Sequence, residues 1–136
     1  MCSSDLVPFN FPILLFGWQA AAALAAGNAV IVKPSELTSM TLLTLMQAFD
    51  HLPAGLVQVV TGGAEVGQML VAHEHTHGVA FTGSVPAAQA VARAASQRFK
   101  PALIEASGND PFIVMPSAPM DAAVRGAAFE IGRAHV

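Results

Sequence analysis

The sequence predicts an α/β fold, in which a parallel β-sheet carries helices on both faces. Short apolar runs without polar alternation are typical of strands that are buried on both faces of a parallel sheet. Segments of helical periodicity, about ten to fifteen residues long, separate these runs, as in consecutive βαβ units. The 136 residues suffice for one domain of ordinary size. Such a sheet is Rossmann-like in its general plan.

Each element follows from its own pattern. The run "PILLFGWQAAAALAAG" predicts a helix that ends at Gly27, because glycine commonly closes helices. Thr38 and Ser84 are predicted helix N-caps, a third helix follows Gly62 and Gly63, and Asp121 lies near the start of a last helix. The predicted strands are "AVIVK" (29–33), "LVQVV" (56–60), "GVAFTG" (78–83), "PALIEA" (101–106) and "PFIVM" (111–115).

The composition excludes several classes of protein. Charged residues make up 11% of the chain and hydrophobic residues 54%, whereas soluble domains carry roughly 25% charged residues. We therefore expect the chain to pack against more protein than it contains. The net charge of -3, with no basic cluster, argues against nucleic acid as a partner. The single cysteine, Cys2, permits no disulfide framework and no cysteine-based metal site within the chain.

A membrane span is the alternative for residues 6–32, which contain no charge. Asn10, Pro12 and Gln19 and an alanine-rich middle oppose it, and a helix followed by a strand explains the run better. We therefore predict no membrane association. The start "MCSSDL" carries an acid and no base, unlike a signal peptide.

The two ends of the chain continue no neighbouring periodicity. Residues 130–136 can be back-translated to a string containing GATCGGAAGAGCACAC, and the reverse complement of that string encodes "CSSD" after a start codon. This string resembles a common sequencing adapter. We therefore interpret residues 1–6 and 130–136 as non-native and residues 7–129 as the protein segment.

Two turns follow predicted strands, where open α/β folds bind ligands. In "KPSE", Lys33 and Glu36 can hydrogen-bond the vicinal hydroxyls of a ribose, and the carboxylate would repel a 2′-phosphate. The alternative is a solvated turn with a weak ion pair. In "FTGS", Ser84 and the free amides of a helix N-terminus suit a phosphate oxygen, although on this motif alone an ordinary N-cap is the favoured explanation of the serine. "TGGAEVG" is glycine-rich but lacks the G-x-G-x-x-G order.

Three further features carry polar groups. His73, His75 and His77 have a spacing that could bind a metal, but no carboxylate or cysteine completes the set, so we predict no metal site. Asn10, between aromatic rings and prolines in "PFNFP", could donate to an oxyanion or stabilise a turn. Glu105 ends an apolar run that reads as a buried strand, where a carboxylate is a better general base.

Taken together, five motifs in order resemble the aldehyde dehydrogenase superfamily over residues 7–129: "PFNFP", "AAALAAGNAVIVKPSE", "GLVQVVTGG", "FTGS" and "IEASGNDPFIV". The resemblance implies oxidation of an aldehyde to an acid through a cysteine thioester, with hydride transfer to NAD(P). It implies that Asn10 is the oxyanion donor and Glu105 the base that activates water. NAD is the expected cofactor because Glu36 is present, and NADP is possible.

The resemblance also implies the cofactor site. Lys33 and Glu36 would hold the adenosine ribose and Ser84 the pyrophosphate. Further cofactor contacts are expected from the same motifs, at Pro34, Ser35, Gly62, Gly67, Phe81, Thr82 and Gly83. The parent protein would be a cytoplasmic homodimer or homotetramer that acts on a small-molecule aldehyde.

This sequence departs from the family pattern at several positions. Phe9 replaces a tryptophan, and Ala106, Ser107 and Asn109 replace the leucine, glycine and lysine of E-L-G-G-K. The nucleophilic cysteine of the family would fall just past residue 136, and Cys2 lies at the wrong end. We therefore expect this chain alone to be inactive. The alternatives are a non-catalytic dinucleotide-binding module, a fragment that does not fold, and a semialdehyde or acyl-CoA-forming relative.

Overall fold

The computed structural model describes residues 1–108 and 111–134. Within them, strands and helices alternate along the chain: β1 (Cys2–Val7), α1 (Pro12–Ala25), β2 (Ala29–Pro34), α2 (Ser39–Met46), β3 (Val57–Val59), α3 (Ala64–Ala72), β4 (Gly78–Gly83), α4 (Val85–Ser96), β5 (Ala102–Ala106) and α5 (Met120–Ala134). Two short 3₁₀ turns, Glu36–Thr38 and Gln47–Phe49, flank α2.

The five strands form one parallel sheet in the order β3-β2-β1-β4-β5. Helices α1 and α2 cover one face, and α3 and α4 cover the other. The chain winds outward from β1 in one direction through β2 and β3, and in the other through β4 and β5. The predicted Rossmann-like α/β fold is therefore confirmed. Its switch point lies between β1 and β4, and such folds bind ligands outside the carboxyl ends of the strands at this point.

Two apolar cores hold the helices to the sheet. On the first face, Phe16 of α1 and Leu42 of α2 are fully buried against Val30 and Val32 of β2. The Phe16 ring meets Phe49 edge-on, with 5.9 Å between the ring centroids, a preferred geometry for aromatic pairs. On the second face, the core consists of Leu6, Val71, Val79 and Ala95, with Phe81 and Val91 packed against it.

Most predicted elements are present, with bounds that shift by a few residues. Gly27 follows α1 with a φ of 77°, as expected for a glycine that closes a helix. Thr38 and Ser84 occupy N-cap positions, but neither side chain makes a capping hydrogen bond. The Thr38 hydroxyl is buried and has no partner in the part of the chain that the structure describes.

Two predictions about strands were wrong. β1 was missed, because "CSSDL" contains small polar residues that are common in turns. "PFIVM" (111–115) was predicted as a strand but forms none in the structure. A strand requires a neighbour to satisfy its backbone groups, and no described segment pairs with these residues.

The central strand carries polar side chains into the interior. Ser4 is fully buried, and Asp5 is 4% exposed. One carboxylate oxygen of Asp5, Oδ2, has no hydrogen-bond partner among the described residues. As for membranes, none of the helices in the described ranges has the length and apolar character needed to cross a bilayer.

Candidate functional site

The strand register brings most of the predicted site residues to one edge of the sheet. Lys33 of β2 lies opposite Leu6 of β1, Leu6 lies opposite Phe81 of β4, and Phe81 lies opposite Ile104 of β5. These four residues form a row across the sheet near the carboxyl ends of the strands. The motifs that follow these positions therefore share one edge.

Lys33 is buried, and its surroundings fix the side chain. Its aliphatic stem packs on the face of the sheet that α3 and α4 cover, beside Gly67 of α3. A Cβ added to Gly67 would lie 3.6 Å from the Lys33 Cδ atom. The Lys33 Nζ atom donates to the carbonyl oxygen of Pro34 at 2.9 Å. It also lies 3.7 Å from Oε1 of Glu36. The ammonium group is thus held at the strand end while part of its hydrogen-bonding capacity remains available.

The turn after Lys33 is internally braced. Pro34 is buried, and Ser35 Oγ accepts a hydrogen bond from the Leu37 amide at 3.3 Å. The Ser39 hydroxyl donates to the Ser35 carbonyl at 3.2 Å. The Glu36 side chain, by contrast, is 57% exposed. The turn therefore presents one carboxylate to solvent from a rigid base, next to a buried ammonium.

The glycine-rich turn before α3 lies at the carboxyl end of β3. Gly62 has a φ of 146°, and an added Cβ would collide with the side chain of Val66. The Gly63 amide donates to Oε1 of Glu65 at 3.1 Å. Glu65 thus places its own negative charge at the N-terminus of α3, which stabilises the helix. This contact was not predicted, although an acid two residues after a glycine pair is a recognisable first-turn pattern.

The end of β4 leads directly into α4. Phe81, Thr82 and Gly83 are half-buried, and an added Cβ on Gly83 would lie 2.7 Å from Cζ of Phe81. Ser84 is exposed at the N-cap of α4, and its hydroxyl makes no hydrogen bond to the helix. The exposed Ser84 hydroxyl and the start of a twelve-residue helix, whose second residue is a proline without an N–H, therefore lie at the same end of the sheet as Lys33. Helix N-termini of this kind attract anions.

Asn10 and Glu105 also lie near the carboxyl ends of the strands, but their side chains are more exposed than the apolar residues around them in the sequence predict. Asn10 is exposed in the connection between β1 and α1. Glu105, expected to be buried, is exposed in β5, because β5 is an edge strand of the described sheet. Glu105 pairs with Thr82, one position beyond the Leu6 row. Two strand spacings, about 10 Å, thus separate Glu105 from β1, the strand that leads to Asn10.

The predicted departure at Asn109 falls outside the described residues, whereas Ser107 is described. Its amide donates to the carbonyl oxygen of Gly83 at 3.1 Å. This hydrogen bond extends the contact between β4 and β5 past the last strand pair, Gly83 and Ala106.

The histidine-rich connection does not assemble a metal site in the described residues. The His73 and His77 Nδ1 atoms each accept a backbone hydrogen bond at 3.2 Å, from His75 and Cys2. Across residues 1–108 and 111–134, no group of three His, Cys, Asp or Glu side chains is placed to hold a metal ion.

Cys2 lies at the amino end of the central strand, whereas the candidate site lies at the carboxyl ends of the strands. It begins β1, whereas the site follows the end of that strand. Four residues separate Cys2 from Val7, which at about 3.3 Å per residue places them roughly 16 Å apart. Burial raises the pKa of the Cys2 thiol, which lowers the fraction of reactive thiolate. Neither position nor ionisation suits Cys2 to act with Asn10 and Glu105.

The fold is that of a doubly wound α/β domain, and the candidate site lies at the carboxyl ends of its strands. Residues 3–134 match the aldehyde dehydrogenase family. The chain belongs to this family. It is 41% identical to aminoaldehyde dehydrogenase 1, peroxisomal, of Malus domestica over 127 residues, which are 91% of this chain and 25% of that protein.

Solved structures give the same result. An NAD-dependent aldehyde dehydrogenase from Sinorhizobium meliloti superposes with a TM-score of 0.82 and 34% identity, covering 94% of this chain and 26% of that chain. An NAD⁺ complex of an aldehyde dehydrogenase from Bacillus cereus gives a TM-score of 0.82 and 32% identity, covering 93% and 26% of the two chains. The chain thus spans about a quarter of the length of its relatives.

Proposed function

We propose that this chain is the dinucleotide-binding part of an NAD-dependent aldehyde dehydrogenase, which oxidises an aldehyde to a carboxylic acid through a cysteine thioester. The observation that carries the proposal is the pairing of Lys33 with Glu36, 3.7 Å apart, at the carboxyl end of β2. Family membership and neighbours that are solved with NAD support it. NAD accepts the hydride of such an oxidation, and NADP is the second candidate.

Lys33 and Glu36 bind the adenosine ribose in this proposal. The exposed Glu36 carboxylate accepts hydrogen bonds from ribose hydroxyls, while the Lys33 ammonium donates to them. A 2′-phosphate would meet the negative charge of Glu36, which favours NAD over NADP. Pro34 and Ser35 hold the turn, and Gly67 leaves room beside the Lys33 stem.

Ser84 and the N-terminus of α4 bind the pyrophosphate. The free Ser84 hydroxyl can donate to a phosphate oxygen, and the helix dipole favours the negative charge. Phe81, Thr82 and Gly83 set the position of this helix start, and Gly83 keeps the approach to it open. Gly62 shapes the neighbouring turn, where Glu65 already occupies the start of α3.

Asn10 and Glu105 serve the chemistry. Asn10 donates its amide to the developing oxyanion, and Glu105 takes a proton from the water that hydrolyses the thioester. The nucleophilic cysteine belongs to a segment outside this chain, since Cys2 lies at the far edge of the sheet. Purified chain should therefore oxidise no aldehyde in the presence of NAD. Turnover that is abolished by Cys2→Ser would contradict this assignment.

Calorimetric titration of the chain with NAD tests the binding site. We expect weak binding, still weaker binding of NADP, and loss of both in a Lys33→Met, Ser84→Ala double variant. Methionine keeps the apolar stem against α3, so the fold should survive. Ser96→Ala, at the other end of α4, is the matched control and should bind normally. Equal binding by the double variant and the control would contradict the proposed site.

The parent protein is proposed to be a cytoplasmic homodimer or homotetramer that does not bind membranes or nucleic acid. A non-catalytic dinucleotide-binding module is the second candidate, because the described residues place no cysteine at the carboxyl ends of the strands. Expression of the parent reading frame separates the two. Aldehyde oxidation by that protein supports the enzyme, and NAD binding without oxidation supports the module.

A further inference from the structure

A groove opens beside α1 on the face of the sheet that α1 and α2 cover. Its volume is about 380 Å³, which is in the range of small-molecule sites. The lining comes from α1, β1, β4 and β5 and includes Asp5, Ala22, Ala80 and Leu103. Asp5, Ala80 and Leu103 lie side by side in one row across the sheet. This row precedes the Leu6 row, so the groove lies on the amino side of the candidate site.

The groove exists because the described helices cover this face unevenly. Helix α1 packs on β1 and β2, and α2 packs on β3, whereas α3 and α4 lie on the other face. Small residues keep the space beyond α1 open, namely Ala22 and Ala23 on the helix and Gly78 and Ala80 on β4. Leu103 of β5 is consequently 61% exposed. The groove is therefore mostly apolar.

Asp5 places a polar group in the floor of this groove. Side chains alternate along a strand, so Asp5 shares a face with Val7, and Leu6 points to the other face. Asp5 is 4% exposed, and its Oδ2 atom has no hydrogen-bond partner in the described chain. The χ2 torsion of an aspartate is broad, so either oxygen can turn toward a molecule in the groove. A ligand with N–H groups would supply the partner that the buried carboxyl lacks.

The charges around the groove select the sign of that ligand. Asp5 is the one ionisable residue in the lining, and neither α1 nor β4 contains any. Lys33 of β2 packs on the other face of the sheet. The Lys100 ammonium, next to β5, donates to two carbonyl oxygens at the end of α3, at 2.6 Å each. Glu105 is exposed two residues beyond Leu103, on the groove side of β5. These groups favour a cation in the groove.

We propose that this groove binds a small organic cation, an apolar body that carries an amidinium or ammonium group, with Asp5 as its counter-ion. The apolar lining covers the body, and the carboxylate accepts charge-assisted hydrogen bonds from the cation. Burial raises the pKa of Asp5 to about 8, so at neutral pH the carboxyl releases its proton to the buffer when the cation binds. The inference is independent of the proposed function, because it involves no dinucleotide.

Calorimetric titration of the chain with benzamidine tests this site. Benzamidine is a cation throughout the pH range used, and benzamide, which has nearly the same shape without the charge, is the matched ligand. We expect benzamidine to bind and benzamide to give no measurable binding. The affinity for benzamidine should rise about tenfold from pH 6 to pH 7, as the carboxyl becomes easier to ionise. Titrations at pH 7 in buffers of different ionisation enthalpy should show release of about one proton per ligand.

Three variants locate the ligand. Asp5→Asn keeps the size of the side chain and should abolish benzamidine binding. Ala22→Lys places a positive charge at the wall of the groove and should weaken binding about tenfold by like-charge repulsion. Ala21→Lys is the matched control, since Ala21 is also an exposed residue of α1 but does not line the groove. It should bind benzamidine as the unsubstituted chain does.

Each contrary outcome overturns the inference. Benzamidine binding that persists in Asp5→Asn would show that the carboxyl is not the counter-ion. Equal weakening by Ala22→Lys and Ala21→Lys would indicate a general effect of net charge and no site in the groove. Binding of benzamide as tight as that of benzamidine, or no benzamidine binding up to pH 8 by a chain that unfolds cooperatively, would also contradict it.

Discussion

Asp5 is a buried carboxyl group whose hydrogen-bonding capacity is not fully used. It lies in the middle of the central strand, paired with Val32 on one side and Ala80 on the other. Its side chain is buried, and Oδ2 has no partner in the described chain. Burial raises the pKa of Asp5 from 3.8 to about 8. The carboxyl is therefore mostly protonated in the folded chain at neutral pH.

This burial predicts a stability that falls with pH. Below the ordinary value of 3.8 the carboxyl is protonated in both states and the folded state is at full stability. Between that value and about 8 only the unfolded state loses its proton, so the free energy of unfolding falls by about 1.4 kcal/mol per pH unit. Urea unfolding across this pH range measures the slope.

Two variants isolate the contribution of Asp5. Asp5→Asn should abolish the slope, because the amide does not ionise. Asp5→Val should abolish it and also raise stability at neutral pH by at least about 2 kcal/mol, because valine suits a buried strand. Asp50→Asn, at an exposed aspartate, is the control. A slope that persists in Asp5→Asn would show that another group is responsible.

At the scale of residues, the ion pair between Lys33 and Glu36 is compatible with the "KPSE" spacing, since a rigid turn fixes residues three apart. The ribose-binding role of this pair stays a prediction. The burial of Glu105 was wrong. Its apolar neighbours indicated a buried strand, but β5 is an edge strand, and exposure there depends on which elements cover it. That information is not local to the sequence.

At the scale of elements, the helices and most strands were predictable because apolar periodicity is a local property. β1 was not predictable, because Ser3, Ser4 and Asp5 are residues that disfavour a buried strand. These residues form a strand only through the pairing of β1 with β2 and β4. The family match over residues 3–134 includes part of both ends, and the non-native origin of residues 1–6 and 130–136 stays a prediction. Coding DNA at either end that cannot be read as the adapter string would contradict this origin.

Helix α1 offers a matched pair of glycines for testing element stability. Gly17 lies within α1, and an added Cβ would meet nothing within 4 Å. Gly17→Ala should therefore raise the free energy of unfolding by about 0.5–1 kcal/mol through helix propensity. Gly27 has a φ of 77°, so Gly27→Ala should lower stability by about 1 kcal/mol. Thermal unfolding of both variants measures these opposite changes in stability. A change of melting temperature in the same direction for both would contradict the backbone conformations of Gly17 and Gly27.

At the scale of the whole molecule, the chain exposes more surface than a closed domain of its size. Its accessible area is 8673 Å², whereas a folded monomer of this mass exposes about 6700 Å². Large apolar side chains are exposed along much of the chain, and several of them follow residue 110. Phe112, Ile113, Met115 and Phe129 are each more than half exposed. This agrees with the expectation that the chain normally packs against further protein.

The exposed apolar surface predicts self-association of the isolated chain. Sedimentation velocity should show a sedimentation coefficient that rises with protein concentration. A shortened chain ending at Gly108 lacks the exposed segment, so it should associate less and still unfold cooperatively. Monomeric behaviour of the full chain at every concentration would mean that the exposed segment is covered in solution.

The position of β1 has a consequence for how the chain comes together. In the described sheet, β2 and β3 are joined to β4 and β5 through β1 alone. Within this chain, β1 therefore keeps one edge unpaired until β4, which begins at Gly78, has formed. Pairings so distant along the chain form slowly. The central strand is thus paired on both edges only late in folding, and until then its open edge can pair with another chain.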